Sequence, residues 1–394
     1  MKKFRIGVMG GWRGGTFAVI LNRDFKEEAD IVAICDIRED RLEHMREELK
    51  EKTDVKYFKD FDEFIDCGLD AVVLGNFFHE HAKYAIKALK KGINVISETN
   101  AAPTLGECVD LCEAVENSNA LYMLAANCPY LYGPMELNKL YNDGTFGRVL
   151  YAEGEYFHTM DPKVSGMDDP KHWRQFLPRT YYNMHDLGPL MSITGTMPKK
   201  VNAKTIYAPD LTGKKNVGDI AAIILTEMDN GAIFRTTSCA SLAPTSKWYR
   251  LVCEKGVIET GRTDPNVAIY QYADWAKPED RELTKTYDCA FDDASEETKK
   301  SGHANADYYL CRHILDCLSG RDKPLFDIYR STTLAAAGIL AWRSVLEDGK
   351  EFLIPDFKNK EERAKYKDDY LTPFPDYVTG EGATLPCSSK PCKR

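Results

Sequence analysis

A chain of 394 residues, 43% hydrophobic and 29% charged, has room for two ordinary cores and the balance of a globular protein, which excludes disordered and fibrous classes. A formal net charge of −9 without any Lys/Arg-rich run excludes a nucleic-acid backbone as the partner, because such binding needs clustered cations. No run of about 18 apolar residues exists to span a bilayer, so the expected partner is a small molecule and no membrane.

Met1 to Ile6 enter a strand pattern at once, leaving no room for a signal peptide, and a cytoplasmic location is expected. The first 127 residues then alternate short apolar runs with amphipathic stretches. The runs are FRIGVMG (4–10), DIVAICD (30–36), VKYF (55–58), DAVVLGN (70–76), NVISE (94–98) and LYMLAAN (121–127). Between them, DRLEHMREELKE, HEHAKYAIKALKKG and TLGECVDLCEAVENS repeat apolar residues three and four apart. Strands alternating with helices predict a doubly wound parallel sheet, an α/β Rossmann domain over residues 1–127. Ligands of such a sheet bind beyond the carboxyl ends of the strands.

A further helix is expected from Gly133 to Tyr141, stopped by Asn142-Asp143-Gly144. From Arg148 onward the β-type runs follow one another without regular helices between them, including a hairpin around Asp229-Asn230-Gly231. They predict an α+β second domain over residues 128–370 on an open, mostly antiparallel sheet, with ADYYLCRHILDCLSG and STTLAAAGILAWRSVLEDG as returning helices. Residues 371–394 are expected to form an extended or partly disordered tail. The 12 cysteines include no C-x-x-C pair, and Cys108/Cys112 and Cys387/Cys392 lack further ligands, so reduced thiols and no metal site are expected.

The first strand runs into Gly10-Gly11-Trp12-Arg13-Gly14-Gly15 and a helix. Glycines there let the backbone turn sharply and approach a pyrophosphate at a helix N-terminus, which makes Gly10, Gly11, Trp12, Arg13 and Gly15 candidate cofactor contacts. Trp12 stands where strict G-x-G-x-x-G has its second glycine. Asp36 closes the second strand, where a carboxylate accepts ribose hydroxyls and repels a 2′-phosphate, favouring NAD over NADP. Asn76, Glu98 and Asn127 follow later strands and would line the nicotinamide side, although a residue at such a strand end is, taken alone, more often a helix cap or loop residue.

In the second domain Trp173-Arg174 and Tyr181-Tyr182-Asn183-Met184-His185-Asp186-Leu187-Gly188-Pro189 gather aromatic, imidazole and carboxylate groups. Tyr182, His185 and Asp186 are candidates for moving protons, and Trp173, Arg174 and Tyr181 for binding a polyhydroxyl ring. A buried histidine satisfied by its own loop would fit the same residues. His303, before the late helix, is a further candidate substrate contact or a helix-start residue.

This order resembles the Gfo/Idh/MocA oxidoreductase family over nearly the whole chain. The segment from Asp70 to Glu98 is similar to the family's stretch ending in Glu-Lys-Pro, with His81 at its histidine, a cofactor-side residue. Two departures stand out: Thr99 replaces the catalytic lysine of Glu-Lys-Pro, and Asp186-Leu187-Gly188 is followed by Pro189-Leu190 instead of the histidine of D-x-G-x-H. His185 to Pro189, Trp173-Arg174, Asn127-Cys128-Pro129-Tyr130 and Gly302-His303 are instead similar to the NAD-dependent glycosidase branch typified by α-N-acetylgalactosaminidase.

That resemblance implies a glycoside hydrolase with tightly bound, recycled NAD, acting in carbohydrate metabolism. It oxidises the sugar at C3, which acidifies the C2 proton, loses that proton and the aglycone at C1 in an elimination, adds water and returns the hydride. It implies acid/base roles for His185 and Tyr130, a cofactor or substrate contact for Glu98, and a homodimer or homotetramer. Ala126 stands where relatives carry a glutamate. A sugar or glycoside C3 dehydrogenase and a non-catalytic sugar or nucleotide sensor remain as alternatives.

Overall fold

The computed structural model describes residues 3–158, 169, 171–207, 219–240, 245–291, 303, 305–377 and 379–388. Two compact units result, one from Met1–Asn127, Ser295–Thr332 and Phe357–Tyr370, the other from Cys128–Ala294, Thr333–Asp356 and Leu371–Arg394. Gly302 and Cys392, singled out in the sequence, lie outside the described residues.

In the first unit, β1 (Phe4–Met9), β2 (Ala29–Cys35), β3 (Lys56–Phe58), β4 (Ala71–Leu74), β5 (Asn94–Ser97) and β6 (Tyr122–Leu124) form one sheet in the order 3-2-1-4-5-6. Every pairing is parallel. Ile6, Val8, Val72, Val73, Val95 and Ile96 are fully buried, which is why these strands read as continuous apolar runs rather than alternating ones. Helices α1 (Arg13–Asp24), α2 (Glu39–Glu48), α3 (Phe61–Ile65), α4 (His81–Lys90) and α5 (Leu105–Glu116) connect them. Thr104 starts α5 by accepting from Glu107 N at 3.1 Å and donating its hydroxyl to the Glu107 carboxylate at 2.7 Å, a reciprocal cap that ends the loop after β5. The strand order reverses between β1 and β4, and the crevice this opens lies outside their carboxyl ends.

The second unit begins with α6 (Tyr132–Asn142), β7 (Val149–His158), a 3₁₀ segment Arg179–His185 and α7 (Leu187–Thr194). Strands β8 (Pro198–Ile206), β9 (Ala221–Met228), β10 (Ile233–Ala240), β11 (Ser246–Cys253), β12 (Gly256–Thr260), β13 (Val267–Tyr272) and β14 (Thr284–Asp288) follow. Later in the chain come α8 (Ala306–Leu318), of the first unit, α9 (Ile328–Leu346), divided between the two, β15 (Phe352–Leu353), of the second, and α10 (Lys360–Ala364), of the first. The sheet has nine strands in the order 14-13-12-11-7-10-9-8-15; β7 pairs with β10 in parallel and the other neighbours are antiparallel. The expected hairpin is there: β9 and β10 join through Asp229-Asn230-Gly231, with Gly231 at φ +82°, a left-handed position that suits glycine.

Helix α8 belongs to the first unit and packs on α1. The Phe25 and Tyr308 rings lie 5.1 Å apart, and Arg312 pairs with Glu28 at 2.5 Å. Among the described residues no helix is long and apolar enough to cross a membrane, and no cluster of His, Cys, Asp and Glu could hold a metal ion.

Candidate functional site

The glycine loop after β1 is shaped for close approach of backbone to backbone. Gly10 has φ +94°, and a Cβ there would lie 2.3 Å from the Gly75 carbonyl oxygen; one on Gly14 would lie 2.7 Å from Met9 O. Gly11 N donates to Asp36 Oδ2 at 2.8 Å and Arg38 N to Asp36 Oδ1 at 2.9 Å, so Asp36 holds the loop as well as ending β2. Trp12 is 57% exposed, and the Arg41 guanidinium of α2 lies 4.4 Å from its ring centre. Gly15 sits in the first turn of α1, where Met45 would meet any side chain at 2.6 Å. We expect Gly10→Ala to lower dinucleotide affinity at least tenfold, because strain at positive φ and the collision with Gly75 both displace the loop; isothermal titration with NAD⁺ checks this.

At the ends of β4 and β6 lie buried polar atoms without partners among the described residues: both amide atoms of Asn76, His81 Nε2 and Asn127 Oδ1. Since a carbonyl only accepts, His81 Nδ1–H donates to Asn100 O at 3.0 Å, leaving Nε2 as an acceptor. Burial lowers the His81 pKa and keeps the ring neutral. Unsatisfied buried amides and an imidazole acceptor are costly unless a ligand meets them. A dinucleotide's ribose hydroxyls and carboxamide are the complementary groups, so these residues fit NAD.

Beyond β5 lies an ion cluster that the sequence reading did not assemble. Arg13 donates through Nε to Glu98 Oε1 at 2.6 Å and through both terminal nitrogens to Asp307 at 2.7 and 2.8 Å. The other Glu98 oxygen accepts from Thr99 N at 2.8 Å and from the Thr99 hydroxyl at 3.0 Å. His303 Nδ1 lies 2.8 Å from Asp307 Oδ2 and 3.4 Å from Arg13. Burial opposes ionisation of both Asp307 and Arg13, but their mutual attraction outweighs it, holding Asp307 well below the usual carboxylate range and Arg13 above its ordinary value. Asp307 was missed because its arginine is 294 residues away; its i,i+4 spacing from His303 was the one local sign.

In the second unit, His185 ends the 3₁₀ segment and is nearly buried, at 8% exposure. Its ring stacks on Tyr156 of β7, with centroids 4.4 Å apart and planes 23° apart, and meets Tyr182 at 5.0 Å. Cys128 Sγ lies 3.3 Å from His185 Nδ1, and the Tyr249 hydroxyl donates to His185 O at 2.6 Å. Tyr182 in turn stacks on Trp173 at 6.4 Å, and the Arg174 guanidinium lies 4.3 Å from the Trp173 ring centre. Tyr130 closes a 3₁₀ turn that begins with Cys128. The structure therefore gathers His185, Tyr182, Trp173 and Arg174 into one aromatic and cationic group.

Two residues of the same stretch face elsewhere. Asp186 is fully buried and caps α7, its Oδ1 accepting Leu187 N at 2.6 Å, and burial drives its carboxyl well above the ordinary range. It positions the His185 turn and is not exposed to take up a substrate proton. Tyr181, expected to bind substrate, is instead fully buried in the core, its ring edge-on to Trp342 and Phe374. Tyr156, Cys128 and Tyr249 were not foreseen as neighbours of His185, since strand periodicity gives burial but not pairing. Gly154 of β7 lets the Asp186 backbone approach, as a Cβ there would lie 2.3 Å from Asp186 O. Gly154→Ala should push the His185 turn off the sheet and cut turnover about tenfold or more at unchanged NAD⁺ affinity, as small misplacements of reacting groups do; paired rate and binding measurements check it.

Comparison with known proteins agrees with both units. Residues 4–126 match the oxidoreductase family with an NAD-binding Rossmann fold, Gfo/Idh/MocA, and residues 199–365 match the glycosyl hydrolase 109 C-terminal domain. A glycosyl hydrolase family 109 protein of Solibacter usitatus is 24% identical over 392 residues, covering 90% of this chain and 88% of the relative. One of Streptomyces coelicolor is 23% identical, covering 90% and 83%. The fold is shared with a levoglucosan dehydrogenase in complex with NADH and levoglucosan, at TM-score 0.76, 16% identity and coverage of 90% and 100%. It is shared also with myo-inositol 2-dehydrogenase from Lactobacillus plantarum, at TM-score 0.71, 16% identity and the same coverage. The chain thus joins a Gfo/Idh/MocA NAD-binding Rossmann domain to a glycosyl hydrolase 109 C-terminal domain, and over 90% of its length it is similar to proteins named for glycosyl hydrolase family 109.

Proposed function

We propose that this enzyme hydrolyses a glycosidic bond through transient oxidation of the sugar at C3, with NAD tightly held and recycled. The observation that carries this reading is the His185 group, an imidazole stacked on Tyr156 and flanked by Tyr182, Trp173 and Arg174, in a chain where Thr99 removes the lysine of simple alcohol dehydrogenation. Bound NAD⁺ supplies a hydride acceptor for C3 and later returns the hydride. The chain's own residues do the rest. Gly10, Gly11, Trp12, Arg13, Gly15, Asp36, Asn76, His81 and Asn127 hold the dinucleotide. Trp173 and Arg174 take the sugar face, with Glu98 and His303 as further sugar contacts. His185 and Tyr130, with Tyr182 beside them, move protons at C2 and at the glycosidic oxygen. With C3 a ketone the C2 proton is acidic enough for a base of neutral pKa, so no pair of carboxylates flanking the bond is needed.

The NAD-binding role falls to residues 1–127 and the substrate and oligomerisation role to residues within 128–370, although 295–332 and 357–370 pack with the first unit, and the segment from Leu371 onward, expected as a tail, belongs to the second. The outer face of the nine-stranded sheet supports a homodimer or homotetramer, since Ile206, Ile223, Leu225, Ile233 and Leu353 are exposed at 42–67% along its neighbouring strands. A cytoplasmic setting is supported by eleven free cysteines among the described residues. The test is a panel of nitrophenyl α- and β-glycosides, galactosaminides included, with and without NAD⁺. Phenol release without accumulating NADH, with or without added NAD⁺, supports hydrolysis; stoichiometric NADH with the glycoside intact identifies a C3 dehydrogenase; silence throughout favours a sensor.

A further inference from the structure

Resting on the reading above and going beyond a binding role for His303, we propose that His303 is the base that takes the sugar hydroxyl proton during C3 oxidation, with Asp307 as the carboxylate that orients it. The lysine that does this in related dehydrogenases is absent, because Thr99 stands in its place. A hydroxyl held by Glu98 at 3.0 Å is no base at neutral pH. The oxidation therefore needs another acceptor.

His303 is one guanidinium away from that position: the same Arg13 side chain contacts Glu98, the neighbour of Thr99, and His303 with Asp307. The imidazole is 43% exposed while Asp307 is fully buried, which is the arrangement of a base whose orienting carboxylate stays behind it. The contacts of Nδ1 make opposite demands, since Asp307 requires a proton on it and Arg13 requires a lone pair. The carboxylate, at 2.8 Å against 3.4 Å, decides for Nδ1–H. Nε2 then carries the lone pair. A histidine that merely began α8 would need none of this.

The step balances as follows: the sugar O3–H bond breaks with its proton going to His303 Nε2, the C3–H bond breaks with its electron pair leaving as hydride to the nicotinamide dinucleotide, and C3–O3 becomes a carbonyl. Reduction at the end of the cycle returns the same proton.

The experiment compares wild type, His303→Gln and Asp307→Asn, all NAD⁺-loaded. Three quantities are read: NAD⁺ affinity by calorimetry, the first rise in absorbance at 340 nm on mixing with a glycoside across pH, and carbethoxylation of His303 by mass spectrometry with and without a bound sugar. His303→Gln should keep NAD⁺ affinity within about twofold while slowing the 340 nm phase about 100-fold or more, the usual weight of general base catalysis. The residual rate should rise with pH as hydroxide replaces the imidazole. In the wild type, bound sugar should protect His303 from the reagent. Asp307→Asn reports the orienting role by slowing the same phase. A 340 nm phase in His303→Gln within threefold of wild type at every pH overturns the proposal, as does a loss confined to NAD⁺ affinity. If wild type reduces the nicotinamide but releases no aglycone, the glycosidase reading fails and His303 is still judged by its own variant; if it never reduces the nicotinamide, both fall.

Discussion

Replacing His185 with alanine should lower aglycone release by about 10²–10⁴-fold, the range for removal of a positioned acid/base group. NAD⁺ affinity should stay within twofold, because His185 belongs to the second unit and the glycine loop, Asn76 and His81 to the first. The ring is held on one side by stacking on Tyr156 at 4.4 Å and at Nδ1 by Cys128 at 3.3 Å. Loss of rate without loss of cofactor affinity separates a chemical role from a structural one. A His185→Ala enzyme that turns over at the wild-type rate would remove this residue from the mechanism.

The second large effect is on stability. Arg13→Met should destabilise the first unit by about 3–5 kcal/mol, the cost of stripping the partner from buried carboxylates. Asp307 has no exposed side-chain surface and Glu98 has 10%, so water cannot replace the guanidinium. The sign of the pH dependence follows from Asp307. Its folded pKa is depressed by Arg13 and His303 in spite of burial, so its contribution is present above the unfolded value, about 3.9, and is lost as pH falls toward the folded one. The gap between wild type and Arg13→Met should therefore be widest near neutrality and narrow below about pH 4, where the wild type loses what the variant never had. Urea unfolding, with hydrogen exchange followed in α1 and α8, measures both the gap and its pH dependence. An equal gap at pH 3 and pH 7 would contradict the ion-cluster account.

Much of the architecture was legible in the residues because it depends on local periodicity. The six parallel strands announced themselves as apolar runs separated by amphipathic helices, and Asp229-Asn230-Gly231 announced the hairpin of β9 and β10. The Rossmann reading and the open, mostly antiparallel second sheet both correspond to the structure. Other features were not local. Nothing in the sequence pairs Arg13 with Asp307, because the contact joins a loop at the start of the chain to a helix near its end. Nothing distinguishes Tyr181 from Tyr182, adjacent residues of which one enters the core and the other meets His185. Asp186 looked like a proton carrier beside a histidine, yet it is fully buried and one of its oxygens accepts the first amide of α7. The resemblance to the NAD-dependent glycosidase branch came from short motifs rather than periodicity, and the match of residues 199–365 to the glycosyl hydrolase 109 C-terminal domain agrees with it.

The most direct measurement of the central claim is the isotopic content of the sugar released by the purified enzyme in D₂O. Oxidation at C3 followed by elimination requires the C2 proton to leave and a solvent proton to take its place. The account predicts hydrolysed glycoside carrying deuterium at C2, with no net NADH. Hydrolysis in D₂O that leaves protium at C2 would contradict it, since the bond would then have been cleaved without passing through the 3-keto sugar.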